Sequence, residues 1–184
     1  QESAKVVLPK LSLPKKRLLA IEDAKIQVER AVQTYRKHFG QNPCGMWPSE
    51  GAVSDDIIPI LTQAGFRWLA SDEEILACSL GNHIVRDGHG EILVPDILYR
   101  PYKINVQGNE INMVFRDHNL SDLIGFQYSK YNADVAVSDF ISRINNLKKY
   151  NNNGRPLLVT IILDGENAWE YYPHSGIDFL RKLY

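Results

Sequence analysis

The feature that most limits the folds open to this chain is the apolar run Leu157-Leu158-Val159-Thr160-Ile161-Ile162, which leads straight into Leu163-Asp164-Gly165-Glu166-Asn167-Ala168-Trp169-Glu170. A continuous, β-branched run of this length predicts a strand buried on both faces, and such strands belong to parallel sheets covered by helices. Carboxylates at the C-terminal end of such a strand stand where α/β folds place their chemistry.

The rest of the chain agrees with that class. Glu22 to Phe39 predicts a helix, because Val28, Ala31, Val32, Tyr35 and Phe39 keep one apolar face, with acids at its start and Gly40 at its end. A short Met46-Trp47 strand follows. Ser54, Asp55 or Asp56 caps a helix through Ala64, with Pro59 in its first turn and Gly65 after it. Phe66 to Ala70 predicts a strand with Trp68 in the core, and 81–90 a loop holding His83 and His89. Ile92 to Val106 and Glu110 to Phe115 predict strands around a Gln107-Gly108-Asn109 hairpin turn. Ser121 to Tyr128 reads as a short helical segment, Ala133 to Tyr150 as an amphipathic helix, and Ile177 to Tyr184 as the start of another. This order favours an α/β domain with a mainly parallel sheet.

Four predicted strand ends carry acids: Glu50, Asp72 with Glu73, Asp117, and Asp164 with Glu166. One sheet rim would gather them, and two carboxylates so gathered are the minimal equipment for glycoside hydrolysis. Composition narrows the alternatives. At 184 residues, 44% of them hydrophobic, the chain can bury one sizeable core. A net charge of −1 and a pI near 6.6 give no basic field for nucleic acid or an anionic membrane, so neither is expected as a partner. No apolar run reaches the roughly 18 residues of a membrane span, and no signal-peptide core is visible; the compartment stays open, with the cytoplasm favoured. Cys44 and Cys78 are too few for a disulfide framework or a cysteine zinc site, and no histidine pair has metal-ligand spacing.

Four ordered motifs then carry a resemblance. They are Trp47-Pro48-Ser49-Glu50-Gly51-Ala52-Val53-Ser54, Trp68-Leu69-Ala70-Ser71-Asp72-Glu73, the stretch from Phe115-Arg116-Asp117-His118 to Gly125-Phe126, and Asp164-Gly165-Glu166-Asn167-Ala168-Trp169-Glu170. Together they resemble the catalytic domain of glycoside hydrolase family 57, nearest its amylopullulanase and α-amylase-like branch. The resemblance implies an incomplete (β/α)7 barrel and retaining chemistry on an α-glucan or oligosaccharide substrate, with no cofactor and no catalytic metal. It implies the nucleophile at Glu50 with Trp47 as a sugar-contacting aromatic, the acid/base at Asp164, and a supporting carboxylate at Glu166.

Two further family motifs would precede Gln1, and a helical region would follow Tyr184. The chain is therefore expected to be an internal piece: an extended lead-in over 1–19, then a partial barrel over 20–184 truncated at both ends. Its partner would be the remainder of its own polypeptide, and alone it would have little or no activity.

The residues also set out a mechanism and its rivals. A retaining pair lies roughly 5 to 5.5 Å apart, with one member ionised and the other protonated. The charge of Glu50, with Glu166 and burial, would raise the pKa of Asp164. Trp47 and Trp169 offer faces for sugar rings, and Arg116, expected among the substrate-binding residues, can hold a carboxylate in place by a bidentate contact. Against this, Glu50 could be a solvated turn residue, and Asp164 with Glu166 a helix cap and first-turn acid. Asp117 reads as support, a cap or a partner of Arg116, and His118 as a substrate contact or a loop cap. The rival functions are a 4-α-glucanotransferase or branching enzyme of the same family, a non-catalytic carbohydrate-binding barrel, and a metal-dependent polysaccharide deacetylase.

Overall fold

A computed structural model describes residues 8–15, 20–151, 154–165 and 169–184 of the chain. The backbone divides into two compact units, residues 1–69 with 103–112 and residues 70–102 with 113–184. A four-stranded sheet in the order β1-β2-β4-β3 is built from β1 (Gly45–Met46), β2 (Trp68–Asp72), β3 (Tyr102–Val106) and β4 (Asn109–Arg116). The α/β class expected from the sequence is present.

In the first unit, α1 (Ile21–Phe39) starts with Glu22 and Asp23, carries Arg36, Lys37 and His38 in its last turn, and stops at left-handed Gly40. Charges of that order suit the helix dipole. Of its expected apolar face only Val28 is buried; Tyr35 and Phe39 lie exposed against each other, 4.5 Å between ring centroids. The connection β1, α2 (Ile57–Gln63), β2 is a βαβ unit, with Gly45 paired to Trp68 and Met46 to Leu69 in parallel. Pro59 sits in the first turn of α2, where its missing N–H costs nothing. Ile58, Leu61, Phe66 and Leu69 form the buried side of this unit. Gln107 and Gly108 turn β3 into β4 with φ of 52° and 82°, the left-handed pair that tight hairpins require.

Two expectations fail here for local reasons. Trp68 is not core: it is 42% exposed, and its indole lies over Gly45, where a methyl group would fall 1.8 Å from the ring. The single strand expected over Ile92 to Val106 is broken, because Pro95 opens a short helix, α4 (Pro95–Leu98), and strand structure resumes only at Tyr102. Proline fixes φ near the helical value and forces its predecessor to stay extended.

The second unit contains α3 (Glu73–Leu80), α4, α5 (His118–Asp122), α6 (Ala133–Asn146) and α7 (Ile177–Leu183). The 81–90 segment is a loop as expected, closed by one antiparallel bridge between Arg86 and Ile92. A π-turn, Leu123–Gln127, extends α5, and a 3-10 turn, Leu147–Tyr150, ends the α6 segment. Leu120, Ile124, Tyr128, Ala136, Phe140, Tyr172 and Phe179 make its hydrophobic cluster. Tyr172 donates its hydroxyl to the Ile124 carbonyl, and burial pushes its pKa up to about 12. Burial of this kind removes roughly 1.5–3 kcal/mol of apolar surface cost per large side chain.

The run 157–163 differs from the expected doubly buried strand. No regular strand forms there, and Leu158 is 47% exposed. Alternate residues Val159, Ile161 and Leu163 pack on the cluster, so the segment keeps the two-residue period of an extended chain with one face covered. Its backbone is held by scattered hydrogen bonds instead of a ladder.

Candidate active site

Glu50 lies in the first unit, at the centre of the 3-10 turn Ser49–Gly51 that follows β1. Pro48 enters the turn extended, at φ −62° and ψ 158°. Glu50 and Gly51 then both adopt left-handed backbone, φ 56° and 62°. For a residue with a Cβ this conformation costs about 1–2 kcal/mol, and such strain gathers at functional positions. The turn closes through Gly51 N–H to the Pro48 carbonyl at 2.9 Å and Ala52 N–H to the Ser49 carbonyl at 3.1 Å. Gly51 is required twice over: by its φ, and because a Cβ there would lie 2.7 Å from the Trp47 ring. The result is an exposed Glu50 carboxylate beside a partly buried Trp47.

In the second unit, the tips of β2 and β4 bring four polar side chains into a closed ring. The Arg116 guanidinium donates to Asp72 at 3.2 Å and to Asp122 at 2.5 Å. His118 faces the same two carboxylates, Nδ1 3.5 Å from Asp72 and Nε2 2.9 Å from Asp122. Asp72 also caps α3, accepting the Glu74 N–H at 3.1 Å. Arg116 thus holds two carboxylates, one on each terminal nitrogen, in place of a single bidentate contact, while the His118 ring stays half exposed at the solvent edge.

Behind this ring lies a buried one. Asp117, fully buried, caps α5 by accepting the Leu120 N–H at 2.7 Å. It also accepts from the Tyr99 hydroxyl and from Arg86 at 3.2 Å. Arg86 reaches Glu73 at 2.5 Å, and Glu73 accepts the His118 N–H at 2.9 Å. Asp117 is therefore the cap that the sequence suggested, but its cationic partner is Arg86 and not Arg116. Two carboxylates share one guanidinium here. Burial pushes the Glu73 carboxyl up against the pull of Arg86, while the guanidinium is held charged, despite its own burial, by Asp117 and Glu73 together. Burial and the neighbouring Asp117 carboxylate push the Tyr99 phenol far above its ordinary value.

The segment carrying Asp164 is fastened to these tips. Leu158 N–H donates to the Tyr99 carbonyl at 2.8 Å, and Asp117 N–H donates to the Thr160 carbonyl at 2.9 Å. Both backbone groups of Ile162 are held, its N–H by Ser121 Oγ at 3.2 Å and its carbonyl by Arg116 Nε at 3.0 Å. Since Val159, Ile161 and Leu163 pack on the hydrophobic cluster, alternation puts Asp164 on the other side, and it is exposed. Glu166 lies outside the described residues. Trp169 is partly buried, edge-on to Tyr172 at 5.2 Å and over Gly176, where a Cβ would fall 2.5 Å from the indole.

Sequence reasoning passed over Arg86, Tyr99 and Asp122. Arg86 follows two apolar residues in a stretch read as loop, and the pattern Ile84-Val85-Arg86 followed by the Asp87–Gly90 turn was the available sign that its side chain turns inward. Asp122, four residues after His118, was visible as a helical partner. Tyr99 had no signal of its own, because its hydrogen bond spans 18 residues of chain. Cys44 and Cys78 are free and exposed, with the Cys44 sulfur accepting from Arg67 at 2.9 Å. Among the described residues, no helix is long and apolar enough to cross a membrane.

Comparison with known proteins gives two findings. In fold, the chain is similar to the crystal structure of 4-alpha-glucanotransferase from Thermococcus litoralis, with a TM-score of 0.60 at 20% sequence identity, over 89% of this chain and 22% of that one. That likeness supports the reading of the α/β architecture as part of an incomplete (β/α) barrel with a mainly parallel sheet. A search of curated proteins returned no match. The sequence model of glycosyl hydrolase family 57 matches residues 7–184, nearly the whole chain, and the protein belongs to that family.

Proposed function

We propose that this chain forms part of the catalytic barrel of a retaining enzyme acting on α-glucans, with Glu50 as nucleophile and Asp164 as acid/base. The observation that carries the reading is Glu50 itself, an exposed carboxylate held in left-handed backbone at the end of a parallel strand, in a chain matched by the family along almost its full length. The similar fold of a 4-alpha-glucanotransferase supports the substrate class. Trp47, beside Glu50, is the proposed sugar platform; Glu166 and Trp169 are proposed to contact substrate from the Asp164 side, and His118 from the exposed edge of the Arg116 ring.

In the first step the Glu50 carboxylate attacks the anomeric carbon as the glycosidic C–O bond breaks. The departing oxygen takes the proton of Asp164, leaving a glycosyl ester on Glu50. In the second step the Asp164 carboxylate removes a proton from water, or from an acceptor sugar hydroxyl, whose oxygen attacks the same carbon and frees Glu50. Water gives hydrolysis and a sugar acceptor gives transfer. The similarity to a glucanotransferase favours testing transfer first.

The test is to treat the full-length protein with a fluorinated glycosyl inhibitor that traps the covalent ester, then to locate the label by peptide mass spectrometry. Label on Glu50 is expected; label on any other residue would overturn the assignment. The 184 residues alone are expected to turn over no maltooligosaccharide, and turnover matching the full-length protein would refute that expectation.

A further inference from the structure

The Arg116 guanidinium is only 15% exposed, and each of its three nitrogens is committed to a protein acceptor: Asp72, Asp122 and the Ile162 carbonyl. Little of it is left for a sugar. Its direction is set from both sides, because Asp72 is anchored as the cap of α3 and Asp122 belongs to α5. His118 closes the ring between the same two carboxylates. What the ring grips, through Nε, is the carbonyl of Ile162, two residues ahead of Asp164.

That grip matters because the segment has no sheet ladder to hold it. A strand inside a sheet draws its rigidity from bonds to neighbours on both sides. Here the backbone of Ile162 is instead clamped by two side chains, Arg116 on its carbonyl oxygen and Ser121 on its N–H. Leu163 then packs into the hydrophobic cluster, near Gly125. With residues 162 and 163 fastened, the direction in which the Asp164 side chain leaves the backbone is decided.

We propose that Arg116 is a positioning residue for Asp164: locked by Asp72 and Asp122, it fixes the Ile162 carbonyl and thereby aims the acid. This rests on the reading of Asp164 as the acid/base. It replaces the substrate contact expected for Arg116 with an action through the backbone. A 1 Å misplacement of a reacting group can cost about 100-fold in rate, so losing one clamp costs on that order.

The test uses the full-length protein and two substrates. Maltooligosaccharide has a leaving group that needs a proton; α-maltosyl fluoride has one that leaves without it. Arg116→Lys keeps a charge between the two carboxylates but cannot also reach Ile162, and Ser121→Ala frees the N–H of the same residue. Both are expected to lower kcat on maltooligosaccharide, about 100-fold for Arg116→Lys and about 10-fold for Ser121→Ala, with KM within twofold, and to leave kcat/KM on the fluoride, which reports the first step alone, within threefold. Asp164→Asn, measured alongside, gives the same dependence on leaving group if it is the acid; without that dependence, the acid/base reading itself fails, whatever Arg116 does. If Asp164→Asn shows the dependence while Arg116→Lys loses both substrates equally, or raises KM on both, Arg116 is not a positioning residue. Should Arg116→Lys fail to fold, Ser121→Ala alone decides, and an unchanged kcat there overturns the proposal.

Discussion

Removing the Asp117 carboxylate tests whether the buried ring behind the site is what holds the β4 tip together. In Asp117→Ala three partners lose their acceptor. The Leu120 N–H at the start of α5 loses its cap, worth about 1 kcal/mol. The Tyr99 hydroxyl, on a residue 1% exposed, is left with no acceptor, at about 2 kcal/mol. Arg86 keeps Glu73 and loses only its longer contact at 3.2 Å, so the full penalty for an orphaned buried charge does not apply, and about 1 kcal/mol is assigned. The sum is about 4 kcal/mol, a large share of the usual 5–15 kcal/mol stability of a domain. In equilibrium urea unfolding followed by far-UV circular dichroism, with a slope of about 2.5 kcal/mol/M, the midpoint should fall by about 1.5 M. Asp117→Asn keeps one oxygen for the cap and sets an amide N–H against a donor, so about half the loss is expected. Tyr99→Phe should couple to Asp117→Ala by more than 1 kcal/mol in a double-mutant cycle. A loss below 1 kcal/mol for Asp117→Ala, or a greater one for Asp117→Asn, would refute this account of the ring.

Gly51→Ala places a Cβ on left-handed backbone and 2.7 Å from the Trp47 ring, so a loss of about 1–2 kcal/mol in thermal unfolding is expected, together with a shifted Trp47 environment; an unchanged midpoint would contradict it. Gly45→Val must displace the Trp68 indole, which already borders solvent, and a red-shifted tryptophan emission that disappears in the Trp68→Phe background is the expected sign. Asp139 gives the pH prediction. Its burial works to raise the carboxyl, but the hydrogen bonds from Arg143 at 2.8 Å and Tyr128 at 2.6 Å outweigh that and hold it below the usual carboxylate value of 3.8. A lowered folded pKa contributes stability that is present above the unfolded pKa and is lost as pH falls through the folded one. The stability gap between the wild type and Asp139→Asn should therefore be constant above about pH 5 and close below 3.8; a gap that widens in acid would show the sign to be wrong.

Elements whose cues are local were legible in the sequence. α1 was delimited by its first-turn acids and Gly40, the hairpin by Gln107-Gly108, and the β1-α2-β2 connection by Pro59 and Gly65. The failures share a cause. Trp68 reads as core by hydrophobicity, yet its exposure depends on Gly45, 23 residues away, leaving room for an indole to lie across the neighbouring strand. The 157–163 run reads as a doubly buried strand, yet only its alternate residues meet the hydrophobic cluster. Hydrophobic content says that a segment seeks cover; it does not say how many sides will find it.

The same division runs through the site. Residue type and order, read with the resemblance of the four motifs to glycoside hydrolase family 57, singled out Glu50, Asp164, Trp47 and Arg116 as site candidates. The left-handed backbone at Glu50 was half legible, in the glycine that follows it. Only tertiary structure decided that Asp117 answers to Arg86 and Tyr99, and that Arg116 spends its nitrogens on Asp72, Asp122 and Ile162. Those partners lie 6 to 46 residues away along the chain. A carboxylate or a guanidinium accepts many partners with similar energy, so the partner it takes is set by which strand tips and helix ends the fold brings within about 3 Å.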